Sequence, residues 1–179
     1  MFWHGKNHRL ENPSGTLIVS SGGLGDTILF SFVFDRFKQF ANRDENVTLV
    51  LPKESEKVSF LFDNNVRIVA LDYNAFRKNR AYMKKIANEF YMANYRLVIS
   101  TDFLRHPRLD EKVIKYCDAQ EVVGMEARSW PKYDKELEKN RYLYSRLFNS
   151  GPIHQDKVLR WTHFADWLSG EKRRPPILQ

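Results

Sequence analysis

A single cysteine, Cys117, stands in 179 residues, so no internal disulfide can form and nothing argues for export to an oxidising compartment. Long apolar runs are also missing. Lys, Arg, Asp or Glu interrupts every hydrophobic segment before the ~20 residues that a membrane-spanning helix requires. The opening MFWHGKNHRLENPSG lacks the apolar stretch and small-residue cleavage site of a secretory signal, and residues 1–15 read as a polar lead-in. No Cys/His cluster has ligand spacing, so no metal is expected. Internal repeats and low-complexity segments are absent. These absences together make the cytoplasm the default expectation.

What is present suits one well-buried domain. The length is too short for two ordinary domains, and 42% apolar residues fit a globular chain. Lys and Arg number 29 against 22 Asp and Glu, a net charge of +7. Such an excess suggests an anionic partner: phosphate, nucleic acid, an acidic glycolipid or an anionic membrane face. Charge alone does not choose among them.

Along the chain, continuous apolar runs alternate with helical patterns. TLIVS (Thr16 to Ser20) is a strand of the kind buried on both faces of a parallel sheet. Apolar positions at Ile28, Leu29, Phe32, Val33 and Phe37 then predict a helix to about Phe40. NVTLVLP, VRIVALDY, RLVIST and EVVGME give four further strands. A short helix over KESEKVSFLFDN, a longer one from about Arg77 to Asn94 and another over RLDEKVIKYCDA separate them. Strands alternating with helices imply right-handed crossovers and an α/β, Rossmann-like parallel sheet with helices on both faces. ARSWPKYDKELEKN reads as a charged surface excursion, and RYLYSRLF as a sixth strand or a helical turn. HQDKVLRWTHFADWLSG predicts an amphipathic helix, with Val158, Trp161, Ala165 and Leu168 on one stripe and Gly170 as its stop. The domain thus spans 16–170, and residues 171–179 (EKRRPPILQ) resemble the start of a linker.

The segment between the first strand and its helix, SSGGLGD, lies where ligands bind in such sheets, outside the carboxyl ends of the strands. Gly22, Gly23 and Gly25 remove side chains, permit positive φ and let backbone N–H groups line a concave surface. The following helix aims its positive end at that surface, which suits a phosphate or another oxyanion. A tight turn with no further role remains the alternative. Two known phosphate loops fail. Ile28 occupies the third glycine position of a dinucleotide fingerprint, and Asp26 stands where a P-loop carries lysine. Asp26 fits a helix's first turn, where the dipole and local N–H groups stabilise a carboxylate. The same effects leave it able to accept a proton from a substrate hydroxyl. The residues alone leave both roles open.

LIVSSGGLGDTILFSFVFDRFKQF resembles the opening of the family 9 glycosyltransferases, the bacterial heptosyltransferases of lipopolysaccharide core assembly. The resemblance extends through NVTLVLPKESEKVSFLFDNNVRIVALD, YRLVISTDFLR, AQEVVGME and HQDKVLRWTHFADWLSG, from about Thr16 to Gly170. It implies the amino-terminal half of a GT-B architecture, in which two Rossmann-like domains face one another across a cleft. By resemblance, Asp26 is the catalytic base. Ser21, Gly22, Gly23, Leu24, Gly25 and Thr27 are then the substrate-binding residues around it. It would deprotonate an acceptor hydroxyl that attacks the sugar's anomeric carbon with inversion, while N–H groups of Gly23 to Asp26 stabilise the departing diphosphate.

No cofactor is implied beyond the donor substrate, a nucleotide-diphosphate sugar such as ADP-heptose. The expected partners are an anionic glycan or glycolipid acceptor and a donor-binding domain in cis or in trans. Peripheral contact with the inner membrane face is a further expectation, and nucleic acid is not expected. In the family's fourth strand an aspartate stands where this chain has Ser100, with Asp102 two residues on as a substitute on the same facing. Arg77, Arg80 and Arg105 are expected acceptor contacts, whereas Lys84 and Lys85 read as a solvated helix face. Cys117 reads as a small core residue, and Trp161, Phe164 and Trp167 as core or interface groups. A non-catalytic module that holds an anionic glycan or a nucleotide sugar is the alternative function.

Overall fold

The computed structural model describes residues 9–170; the linker-like residues 171–179 lie outside the described residues. Six strands form one wholly parallel sheet: β1 (Thr16–Val19), β2 (Val47–Pro52), β3 (Arg67–Leu71), β4 (Leu97–Ser100), β5 (Glu121–Met125) and β6 (Arg146–Phe148). Their order is β3-β2-β1-β4-β5-β6. The first strand is therefore central, and the winding reverses between β1 and β4.

Strand periodicity splits the core into two layers, because alternate side chains point to opposite faces. Ile18, Leu49, Leu51, Ile99, Val123 and Met125 belong to one layer. Leu17, Val19, Val50, Val98 and Val122 belong to the other. The first layer is covered by α1 (Leu24–Ser31), α2 (Phe34–Lys38), a 3-10 segment (Lys53–Leu61) and α7 (Lys157–Leu168). The second is covered by α3 (Tyr73–Lys78), α4 (Arg80–Ala93) and α5 (Asp110–Cys117). Helices on both faces explain why the strands read as continuous apolar runs rather than alternating ones. Cys117 is fully buried in the second layer, as its apolar setting suggests.

Several boundaries differ from the sequence pattern, each for a local reason. The helix expected to reach Phe40 breaks after Ser31, with Phe32 capping the end of α1 and Val33 the start of α2; the turn lets Phe30, Phe34 and Phe37 all enter the core. Lys53–Leu61 winds as a 3-10 helix rather than an α-helix. The long helix after β3 is two helices divided at Asn79, whose side chain accepts the Tyr82 N–H and caps α4. The charged excursion after β5 holds α6 (Asp134–Lys139), and the segment after it supplies both a 3-10 turn (Asn140–Leu143) and β6. Trp161 and Ala165 are buried on the stripe expected of α7, and Gly170 follows it with φ of +66°.

Gly124 in β5 marks a tight point of packing. A Cβ there would lie 2.6 Å from the ring of Tyr144, which in turn lies under the Arg105 guanidinium at 4.3 Å. Gly124→Ala is expected to cost about 1–3 kcal/mol by overpacking, read as a lower urea midpoint. A midpoint equal to that of the parent chain would contradict this packing.

Candidate functional site

The reversal between β1 and β4 opens a crevice at their carboxyl ends. Ser20 to Asp26 and Thr101 to Asp102 meet there. Backbone bonds continue the pairing beyond the strands: Thr101 N–H donates to Val19 O at 3.0 Å, and Ser20 N–H to Val50 O at 3.1 Å. Asp102 then crosses the divide, its Oδ2 accepting the Ser21 N–H at 2.6 Å. The start of the glycine segment is thereby pinned to the end of β4.

Gly23 caps α1 with extended backbone and no side-chain bond, leaving the helix's first N–H groups turned outward. Asp26 lies in that first turn and leans back over Gly22. A Cβ on Gly22 would sit 2.6 Å from Asp26 Cβ and 2.8 Å from Oδ2. A Cβ on Gly23 or Gly25 would meet nothing within 4 Å. The expectation of positive φ in this segment is corrected: among the described glycines only Gly15, Gly151 and Gly170 adopt it. The corner uses Gly22 for close approach, and Gly23 and Gly25 to leave a bare backbone facing open space.

The Asp26 side chain retains 30% of its exposure and pairs with the Lys157 ammonium at the start of α7. Thr27 is buried; its hydroxyl bonds Gly23 O at 3.2 Å and Ser55 Oγ at 2.9 Å. It serves the local geometry of the corner and is no open ligand contact. Ser21 and Leu24 are half-buried at the same mouth. Beyond Ser55, the ends of β2 and β3 border a hollow of about 430 Å³ lined by Lys53, Glu54, Asp72, Tyr73 and Asn74.

Asp102 is pushed up to about 6, chiefly by burial; its bonds to Ser21 oppose the rise and the Asp26 charge adds to it. Behind it, Asp110 is wholly buried and lies well above the ordinary carboxyl range, first through burial and then through the Asp102 charge. Asp110 Oδ1 accepts the His106 N–H at 2.8 Å, while Oδ2 has no hydrogen-bond partner among the described residues.

Arg105 requires correction as an acceptor contact. It is 2% exposed. Its Nε donates to Glu111 Oε1 at 2.8 Å and one terminal nitrogen to Met125 O at 3.1 Å, so its charge is spent inside the domain. Arg77 and Arg80 are exposed. They lie beyond β3 on α3 and α4, and the Arg77 charge helps hold the His106 imidazole below its usual range, behind burial and Arg108. Arg77, Lys78, Arg80, Lys84 and Lys85 form no ion pair among the described residues, whereas eleven other cations do. Among the described residues no group of three or more His, Cys, Asp or Glu side chains is placed to hold a metal, and no helix is long and apolar enough to cross a membrane.

Lys157 and Arg160 escaped sequence reasoning. Arg160 is buried and ties down the turn before α7 through Ser150 O at 2.5 Å and Pro152 O at 2.8 Å, with its guanidinium 3.7 Å from the Phe103 ring centre. Trp161 Nε1 donates to Thr101 O at 2.8 Å, docking α7 onto the end of β4. The signal available for Arg160 was a basic residue inside an otherwise apolar helical stripe.

No family model matches the chain, and no curated protein matches it by sequence. Solved structures do match by fold. A family 9 glycosyl transferase from Veillonella parvula DSM 2008 aligns over 92% of this chain and 44% of its own, with a TM-score of 0.68 and 14% identity. The E. coli heptosyltransferase WaaC with ADP-2-deoxy-2-fluoro heptose aligns over 92% and 50%, with a TM-score of 0.63 and 17% identity. WaaC with ADP gives 0.61 over 92% and 49%, also at 17% identity. The chain has the Rossmann-like α/β fold of these glycosyltransferases and spans about half their length.

A native carboxyl group at about 6 against 3.8 in the unfolded chain adds stability below pH 3.8 that disappears as pH rises through 6. Asp102→Asn keeps an oxygen for Ser21 N–H and removes that loss. Urea unfolding should find the variant equal to the parent at pH 4 and about 1–2 kcal/mol more stable at pH 7.5, allowing for solvent around a half-buried group. Equal stability at both pH values would show that Asp102 carries no such burden.

Proposed function

We propose that this chain is the acceptor-side half of an inverting, heptosyltransferase-like glycosyltransferase, with Asp26 as its base. The observation that carries the reading is the partly exposed Asp26 carboxylate at the switch-point crevice, beside backbone that no side chain covers. Fold likeness to glycosyltransferases supports it, as does a hollow at the same edge within the size range of small-ligand pockets.

In this reading an acceptor hydroxyl lies against Asp26 and gives up its proton as its oxygen attacks the anomeric carbon. The bond to the diphosphate breaks, the electron pair leaves with the diphosphate, and the anomeric configuration inverts. Outward N–H groups at the start of α1 meet developing negative charge without reorganising. The unpaired cations Arg77 and Arg80 attract an acceptor bearing phosphates or acidic sugars. The nucleotide sugar, ADP-heptose in the WaaC case, is held by a donor-binding half in cis or in trans. A lipopolysaccharide-type acceptor brings the chain to the cytoplasmic face of the inner membrane. Those same unpaired cations favour a second reading, a module that binds an anionic glycan without turnover.

Joined to or mixed with a donor-binding half, the chain should transfer sugar, and Asp26→Asn should lower kcat by about 10²–10⁴-fold. Unchanged transfer in that variant would remove Asp26 as the base, and binding without any transfer would favour the second reading.

Gly25→Ala separates ligand approach from folding. The added methyl enters open space on a helix, so thermal stability should hold or rise by up to about 1 kcal/mol, while acceptor or donor affinity falls at least about tenfold, near 1.4 kcal/mol. Unaltered affinity would show that no ligand passes over Gly25.

A further inference from the structure

α1 and α7 lie side by side in a common register. Asp26 meets Lys157, 131 positions on, and Phe30 meets Trp161 at the same offset, with ring centres 5.2 Å apart. The helices therefore run in the same direction, and their first turns reach the crevice together. Asp156 caps α7 by accepting the Leu159 N–H at 2.9 Å, which fixes Lys157 as the first helical residue beside Asp26.

The two oxygens of Asp26 face different surroundings: Oδ1 carries the ion pair with the Lys157 ammonium, and Oδ2 is turned back over Gly22, where a Cβ would lie 2.8 Å from it. A base needs an oxygen free to face the hydroxyl it deprotonates. The Lys157 ammonium has no other partner among the described residues, and its side chain is 52% exposed, so its flexible stem is free to re-aim. The charged groups around it are Asp26 on α1, Asp102 after β4 and Asp156 on its own helix.

We propose that Lys157 is a positioning residue acting through Asp26: it masks Oδ1 in the free chain and moves onto a phosphate or carboxylate of the incoming acceptor, uncovering that oxygen for the acceptor hydroxyl. The inference rests on Asp26 being the base. The hydroxyl proton then passes to Oδ1 while Lys157 stays with the acceptor's anion. Acceptors that carry the anion unmask the carboxylate, and neutral ones leave it covered. Selectivity for charged acceptors is thereby built into the carboxylate itself, in addition to the cations of α3 and α4.

Two measurements test this. In the 179-residue chain, inorganic phosphate titrated at constant ionic strength should move the Asp26 carboxyl ¹³C resonance saturably, and Lys157→Met should abolish the response. No saturable shift in the parent chain, or the same shift in the variant, overturns the proposal. With a donor-binding half supplied, transfer to a phosphorylated acidic-sugar acceptor is compared with transfer to its dephosphorylated form. Lys157→Met should lower the preference in kcat/KM at least about tenfold, mainly through KM for the phosphorylated form, and should raise transfer to the dephosphorylated one. Lys157→Arg should restore most of the preference. An equal loss on both acceptors marks a merely structural lysine and overturns the idea. Transfer surviving in Asp26→Asn removes the base itself, whereas an inactive Asp26→Asn beside an unaltered preference in Lys157→Met removes only the proposal made for Lys157.

Discussion

Where strand order reverses, the segments leaving β1 and β4 turn to opposite faces of the sheet, and in this chain a carboxylate spans them just past the last bond of the ladder. Asp102 accepts the Ser21 N–H across the divide between β4 and β1. That bond joins the two segments that carry the groups of the crevice. Ser21 fixes where Gly22 begins, Gly22 admits the lean of Asp26, and Gly23 starts α1. On the other side, Thr101 precedes Asp102 and takes the Trp161 indole N–H, which docks α7 and brings Lys157 to Asp26. Two helix starts and two carboxylates thus share one crevice past the paired ends of β1 and β4. The constraint has an electrostatic cost, visible in the raised Asp102, whose carboxyl is driven up chiefly by burial. Stability given up near a site in exchange for fixed geometry is a recurring feature of functional clefts.

The distribution of charge sharpens this picture. Some cations are matched: Arg96 grips Glu45 at 2.6 Å and holds that carboxyl down to about 2, and Arg105 is closed onto Glu111 inside the domain. An unpaired share lies on α3 and α4, beyond the carboxyl end of β3 and on the same edge as the crevice. Lys157, paired with the Asp26 carboxylate, is a further cation at that edge. If Lys157 acts as proposed, attraction and unmasking draw on the same property of the ligand.

Much of the fold was legible because burial on both faces writes continuous apolar runs, and five of the six strands carry one. Asp26 was legible as well, since a carboxylate directly after three glycines and before an apolar helical period has few places to be. The sequence misled where a partner lay elsewhere. Arg105 follows a strand end, as a ligand contact would, yet its charge belongs to Glu111 six residues on; only the fold shows that α5 turns this glutamate inward. Lys157 sits 131 residues from Asp26, and no local pattern marks it, because the pairing follows from α7 returning to the first layer after β6. The breaks after Ser31 and at Asn79 were hidden for a related reason. Helical spacing continues through both, and tertiary packing of Phe30, Phe34 and Phe37 at one, and a side-chain cap at the other, decides the stop.

The glycines show how one residue type acts through two different physical effects within four positions. None of Gly22, Gly23 and Gly25 takes the left-handed conformation that most often selects glycine. Gly22 is needed because Asp26 would collide with any Cβ there, a requirement internal to the chain. Gly23 and Gly25 have no such neighbour, and Gly25 lies within a helix, where alanine would favour the folded state. Folding therefore explains the first and not the other two. A bare backbone at the positive end of a helix, beside the Asp26 side chain, gains its advantage only when something comes close to it. The corner is thus built in two parts: one glycine makes way for the Asp26 side chain, and two leave bare backbone beside it.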